Sequence, residues 1–318
     1  MLRALLSALF YARFYTRFSR RGLRRRQAQW QPYAEGLHGQ VWVVSGASGG
    51  IGAAIARQAC ARGATVWALA RSADKLAALA QACASSAGSL RPLVVDFSSL
   101  ADTRRAVQAL QAGGAPIDVL VNNVGVLQDR YLRTAEGREQ SCASNLLSHY
   151  VLTEGLRAAA AFAPGAAVIN MSSGGMYGAR LDLAALQAER AEDHDGMAAY
   201  AQHKRAQVVL TAAWNRRWQG QPRVYVMHPG WVDTAGVQTA LPWFRAVLKS
   251  RLRTPEEGAD TALWLGTTRQ PVADGIWLDR VLDPEHAFAY TERSRDRPED
   301  LIDWLAAQTR PSPDTRPG

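Results

Sequence analysis

Residues 41–61 read VWVVSGASGGIGAAIARQACA. A short apolar, β-branched run enters a glycine-rich turn, and an alanine-rich helical segment follows. Gly46, Gly50 and Gly52 have the spacing of a dinucleotide-binding turn. Glycines there let the backbone approach a pyrophosphate, and the following helix N-terminus supplies free N–H groups. The same letters contain GASGG, the pattern of a hydrolase nucleophile elbow, with Ser48 as nucleophile and His228 or His286 as its base. A hydrolase needs neither the GIG continuation nor the Tyr–Lys pair found further on. Little chain precedes this strand to form an oxyanion loop, so the dinucleotide reading is preferred.

Working outward, short apolar strands alternate with helices. TVWALA (65–70) leads to DKLAALAQACA (74–84), and LRPLVVDF (90–97) to ADTRRAVQALQAGG (101–114). IDVLVNN, AAVINMSS, RVYVMHPG and DGIWLD continue the series. This pattern predicts an α/β fold, a Rossmann-type doubly wound parallel sheet. It spans 38–290 as a single domain, after an N-terminal basic arm (1–37) and before a C-terminal helix and tail (291–318), the tail disordered from Pro311. The inserts 174–196 and 234–253 leave carboxyl ends of strands, where open α/β sheets bind ligands.

The 318 residues carry a formal charge of +9, but eight arginines precede the first acid, Glu35, so the basic character belongs to the arm. It is no sign of nucleic-acid binding. The arm's uncharged run, Ala4 to Ala12, is shorter than the roughly 20 residues that span a bilayer. Its leucines, aromatics and arginines predict an interfacial helix on an anionic membrane surface. A packed helix, a targeting arm and a basic tail are the alternatives. Three widely spaced cysteines fit neither a disulfide framework nor a zinc site and indicate a reducing compartment; with the arm, the expected location is cytoplasmic and peripherally membrane-associated. No metal site is expected. Oligomeric state stays open, a homo-oligomer included.

The second strand ends at Arg71, with no acid before Asp74 to take a ribose 2′-OH. A guanidinium suits a 2′-phosphate, so NADP is favoured over NAD. On the helical stretch GMAAYAQHKRAQVVLTAAW, Tyr200 and Lys204 share a face. One positive charge about 4 Å away is worth about 4 kcal/mol at an effective dielectric of about 20, enough to lower a phenol by the 2–3 units a base role needs.

With these residues assembled, the chain resembles the short-chain dehydrogenase/reductase superfamily over about residues 38–285, and within it the dehydrogenase/reductase member 12 group, relatives of the retinol dehydrogenases. SGASGGIG matches the cofactor loop (Ser45, Gly46, Ser48, Gly50, Ile51, Gly52). VVDFSS offers Asp96 for the adenine. NNVG (Asn123, Gly125), SNLLSHYVLT (Asn145), NMSSGG, YAQHK and HPGWVDT (Pro229, Gly230, Thr234) follow in the family's order. Each motif is modest, and their ordered occurrence is specific. The resemblance implies a catalytic set of Tyr200, Lys204, Ser173 and Asn145, with Ser172 the alternative serine and Asn145 holding a water against Lys204. It implies interconversion of a carbonyl and its alcohol, and apolar walls around one polar cluster suit a hydrophobic one. The expected pocket walls are Met176, Tyr177, Trp231, Trp243 and Phe244. A catalytically silent NADP-binding regulatory protein is the competing reading. His149, His194 and His203 are expected at exposed or interface positions, and Cys142 in the core.

Overall fold

The computed structural model describes residues 12–32, 36–186, 191–240 and 242–311. Strands β1 (Val41–Ser45), β2 (Thr65–Ala70), β3 (Ser89–Val94), β4 (Ile117–Asn122), β5 (Phe162–Met171), β6 (Arg223–Met227), β7 (Ile276–Leu278) and β8 (Val281–Asp283) form one sheet in the order β3-β2-β1-β4-β5-β6-β7-β8. Pairing is parallel from β3 to β7, and β8 runs antiparallel. The order reverses between β1 and β4, which places a ligand crevice at their carboxyl ends.

Every residue of β1 is buried, as a central strand covered on both faces requires. Val43 joins the core beneath helices α4 (Leu100–Ala112), α5 (Ser148–Ala158), α6 (Gly196–Trp218) and α8 (Pro298–Gln308). Trp42 and Val44 join the opposite core, beneath α2 (Gly50–Ala61), α3 (Ala73–Ala82) and α7 (Pro255–Thr268). A capping box of Thr254 and Glu257 starts α7. The C-terminal helix belongs to the domain, with Leu301 and Leu305 fully buried; the tail expectation falls mostly on 312–318, outside the described residues.

Strand β8 was not anticipated. Its tight turn uses Asp279 (φ 53°) and Arg280 (φ 62°), both left-handed, where a sequence reading looks for glycine or asparagine.

Over its described residues the arm follows the packed-helix alternative. Residues 12–18 are helical and α1 follows (Arg20–Gln27). Phe14, Phe18 and Leu23 are buried, the two phenylalanines stacked 4.5 Å apart in a cluster with Met176, Tyr177, Val208 and Val226. Three of the arginines are paired: Arg17 with Asp283, Arg20 with Glu257 at 2.8 Å and Arg26 with Asp279 at 3.5 Å. Phe14, Phe18 and Leu23 are therefore spent on the fold, while Arg13, Arg21, Arg24 and Arg25 stay exposed. Residues 1–11, which hold most of the apolar run, lie outside the described residues. Among the described residues no helix is long and apolar enough to cross a membrane.

Candidate active site

A cleft of about 780 Å³ opens at the carboxyl ends of the central strands. Its floor is the glycine turn. Gly46 (φ +68°) and Gly50 (φ +52°) adopt left-handed backbone, and a Cβ on Gly52 would stand 2.4 Å from the Gly46 carbonyl oxygen. Only glycine lets this turn close so tightly. Ser45 does not reach the cleft: its hydroxyl accepts from the Asn123 and Val124 amides at 2.9 and 3.2 Å, while the Asn123 side chain donates to the Ser45 carbonyl at 2.9 Å. These two residues brace the turn against β4. Ser48, Ile51, Arg71, Asp96, Asn123, Gly125, Pro229, Gly230 and Thr234 line the cleft.

Tyr200 and Lys204 lie one turn apart on α6 and also line the cleft. The Lys204 ammonium is almost fully buried; it donates to the Met171 carbonyl at 2.7 Å and stands 5.6 Å from the centre of the Tyr200 ring. Burial lowers Lys204 to about 7. Burial also raises the Tyr200 phenol above its ordinary range, and the hydrogen bond with the Ser173 hydroxyl only partly offsets it. The direction is opposite to that expected from a neighbouring ammonium, and burial sets it.

Both serines line the cleft, in different settings. The Ser172 hydroxyl donates to the Lys204 carbonyl at 2.8 Å and braces α6, whereas Ser173 faces Tyr200. Buried Arg205 holds the insert in place by donating to the carbonyls of Met176, Ala179 and Glu285 at 2.8–3.0 Å. Asn145 lies in a π-helical turn (Ala143–Leu147), its side chain exchanging hydrogen bonds of 2.7 and 2.8 Å with the Val126 backbone. That contact fixes the loop beyond Gly125.

The predicted pocket walls are not among the cleft residues. Met176 and Tyr177 are buried beneath the arm's Phe14 and Phe18, Trp231 stacks edge-on with Phe18 and Phe244, and Trp243 is 72% exposed. The arm covers Met176, Tyr177 and an edge of Trp231, apolar surfaces that the sequence alone leaves for a substrate. His149 and His203 are buried, not exposed, each held neutral chiefly by burial and then by the Lys204 charge, His203 at about 3. His194 is partly exposed and Cys142 is core, the latter as expected. The hydrolase bases fail: His228 is buried edge-on to Phe18 and Tyr177, and His286 pairs with Thr291 at 2.8 Å, neither lining the cleft that Ser48 faces.

Sequence reasoning missed several lining residues. Ser72, just beyond β2, and Lys75, in the first turn of α3, join Arg71, and Val126, Gln128, Gln140 and Ser144 also line the cleft. Lys75 was legible as one of only three lysines.

A glycine turn at a sheet's switch point, opposite a Ser–Tyr–Lys cluster, defines a dinucleotide-dependent oxidoreductase of the Rossmann class. Residues 40–243 match the family model of short chain dehydrogenase, and the chain belongs to that family. It is 36% identical over 276 residues to Dehydrogenase/reductase SDR family member 12 of Bos taurus, covering 84% of this chain and 85% of that protein. It is 30% identical over 237 residues to Retinol dehydrogenase 11 of Homo sapiens, covering 73% and 74%. A similar solved structure is that of a Beutenbergia cavernae protein assigned as an NAD(P)-dependent gluconate 5-dehydrogenase, with NADP bound at low occupancy (TM-score 0.57, 28% identity, 73% of this chain and 91% of that chain). The family uses NAD(P), and the glycine cradle, which a Cβ would obstruct, fits it.

Proposed function

We propose that this chain is an NADP(H)-preferring oxidoreductase that interconverts a lipophilic aldehyde or ketone and its alcohol. The observation that carries the reading is the cluster of Ser173, Tyr200 and buried Lys204 in the cleft that the glycine turn opens. When bound, the nicotinamide cofactor donates or accepts the hydride at the substrate carbon. The Tyr200 phenol gives the carbonyl oxygen its proton, and a phenol raised by burial is protonated at neutral pH, which suits it to the reducing direction. Ser173 donates a second hydrogen bond to the same oxygen, where charge develops. Lys204 supplies positive charge beside the phenol and can hold ribose hydroxyls.

The preference for NADP rests on Arg71, Ser72 and Lys75 just beyond β2, two cations and a hydroxyl suited to a 2′-phosphate. Lipophilic substrates are supported by Val126, Val232 and Val237 in the lining and by the relative named for retinol. A cytoplasmic, peripherally membrane-associated location remains part of the proposal. Residues 1–11, with Leu2, Leu5, Leu6 and Leu9, are the segment that would touch lipid.

The test is NADPH oxidation by the full chain against retinal, steroid ketones and fatty aldehydes. Turnover is expected, abolished by Tyr200→Phe with NADPH affinity kept within a few-fold. Tight NADPH binding without turnover of any carbonyl would instead support the silent regulatory reading.

A further inference from the structure

Gln207 lies three residues beyond Lys204 on α6, on the same helix face, and is 1% exposed. Its side-chain amide makes three contacts. Nε2 donates to the Asn145 carbonyl at 2.7 Å and meets His149 Nδ1 at 3.0 Å; Oε1 accepts from Lys204 Nζ at 3.4 Å. The partners fix the amide's orientation, since a carbonyl can only accept and an ammonium can only donate. Two amide hydrogens serve two acceptors, so His149 carries its proton on Nε2. The carbonyl end of the amide dipole therefore faces the lysine. Gln207 thus spans the gap between Lys204 and Asn145 that the sequence reading assigned to a water.

We propose that Gln207 is a positioning residue that holds the catalytic ammonium by tying Lys204 to the Asn145 carbonyl. The inference rests on the proposed function for the word catalytic, but the contact stands on its own geometry. The groups facing the ammonium are Tyr200, His203 and Gln207 from α6, His149 from α5, the Met171 carbonyl from β5, and Gly125, whose Cβ position would stand 3.3 Å from Nζ. Both histidines are neutral, and burial lowers Lys204 with no carboxylate offsetting it. In that setting the Met171 carbonyl and the Gln207 amide oxygen are the ammonium's acceptors. Removing one of them weakens the charged form.

The chain has three lysines, Lys75, Lys204 and Lys249, so the Cε resonances of 13C-lysine-labelled full-length protein can be followed one by one, with Lys204 assigned through Lys204→Met. Gln207→Leu is expected to lower the Lys204 titration by about one pH unit, since hydrogen bonds to charged groups are the stronger ones. Gln207→Met, nearly the same size and without a strong acceptor, is expected to lower it in the same way, and serves if the leucine variant does not fold. In turnover, the kcat–pH profile should move in the same direction as the titration, a change that a merely structural role would not produce. An unchanged Lys204 titration in folded Gln207→Leu or Gln207→Met overturns the proposal. If the titration moves while the wild-type protein reduces no carbonyl compound, the functional reading fails and the tie between Gln207 and Lys204 stands.

Discussion

The Arg253 guanidinium and the Asp279 carboxylate meet at 2.6 and 3.0 Å with almost no solvent exposure. Arg253 also donates to the carbonyls of Pro229 at 3.0 Å and Arg17 at 3.1 Å, and the Trp231 amide donates to the Phe18 carbonyl at 2.9 Å. A Cβ on Gly230 would stand 2.4 Å from the guanidinium carbon, so glycine is what admits this close approach. One buried ion pair thus joins the N-terminal segment, the β7–β8 turn and the loop that lines the cleft.

Breaking that pair should unfold the protein more readily. Asp279→Asn leaves a buried cation with half its partner, and losses of about 3–5 kcal/mol are typical of such changes. Deleting residues 1–39 should also lower the urea midpoint, because Phe14, Phe18 and Leu23 leave the core, and it should weaken NADPH binding through the Pro229–Trp231 loop. Urea titration of each variant checks this. An unchanged midpoint on deletion would mean that the arm merely rests on the surface.

Ser172 and Ser173 should separate stability from catalysis. Ser173→Ala removes the hydroxyl bonded to Tyr200 and should cost about 100-fold in kcat, with little change in folding. Ser172→Ala removes a buried bond to the Lys204 carbonyl and should cost about 1 kcal/mol of stability while kcat falls only a few-fold. Paired kinetics and denaturation decide the matter, and the reverse pattern would exchange the two roles.

The sheet was legible because parallel strands buried on both faces read as plain apolar runs, as in Val41–Val44. The cofactor turn was legible because its backbone demands glycine at fixed positions. The arm's fate was not. Phe14 and Phe18 read equally well as lipid-facing or core-facing, and their partners Tyr177, Val208 and Val226 lie far off in sequence. The pocket walls failed for the same reason, since an aromatic cluster does not announce which neighbour will cover it. Gln207 carried a faint signal, a polar residue on the Tyr200–Lys204 helix at a spacing that faces Lys204.

Arg71 and Lys75 should act together on cofactor choice. Arg71→Ala should weaken NADPH by roughly tenfold or more and leave NADH nearly unchanged, because only NADPH carries the 2′-phosphate. Adding Lys75→Ala should weaken NADPH further. Fluorescence titration with both cofactors checks this, and equal losses for NADH and NADPH would remove these residues from the role of reader.

Acid should destabilise the fold through its buried histidines. Burial, followed by the Lys204 charge, brings His203 from 6.5 to about 3 and holds His149 well below its usual value. Above pH 6.5 both folded and unfolded chains carry these rings neutral, and nothing is lost. As the pH falls from 6.5 toward 3, the unfolded chain binds protons that the folded chain refuses, so stability drops by up to about 1.4 kcal/mol per pH unit for each histidine. Lys204, lowered from 10.5 to about 7, follows the same rule in another window: stability falls as pH drops from 10.5 to 7 and levels off below. The two windows scarcely overlap, so the acid limb belongs to the histidines and to any carboxylates that titrate with them. His203→Gln keeps a polar group near the Asn145 amide, which lies 3.4 Å from His203 Nδ1, and cannot titrate. Its unfolding free energy, measured by urea denaturation between pH 4 and pH 8 (about the range of interest for histidine), should fall less steeply with acid than that of the wild type. Parallel curves for the two proteins would show that His203 takes up its proton in the folded state after all.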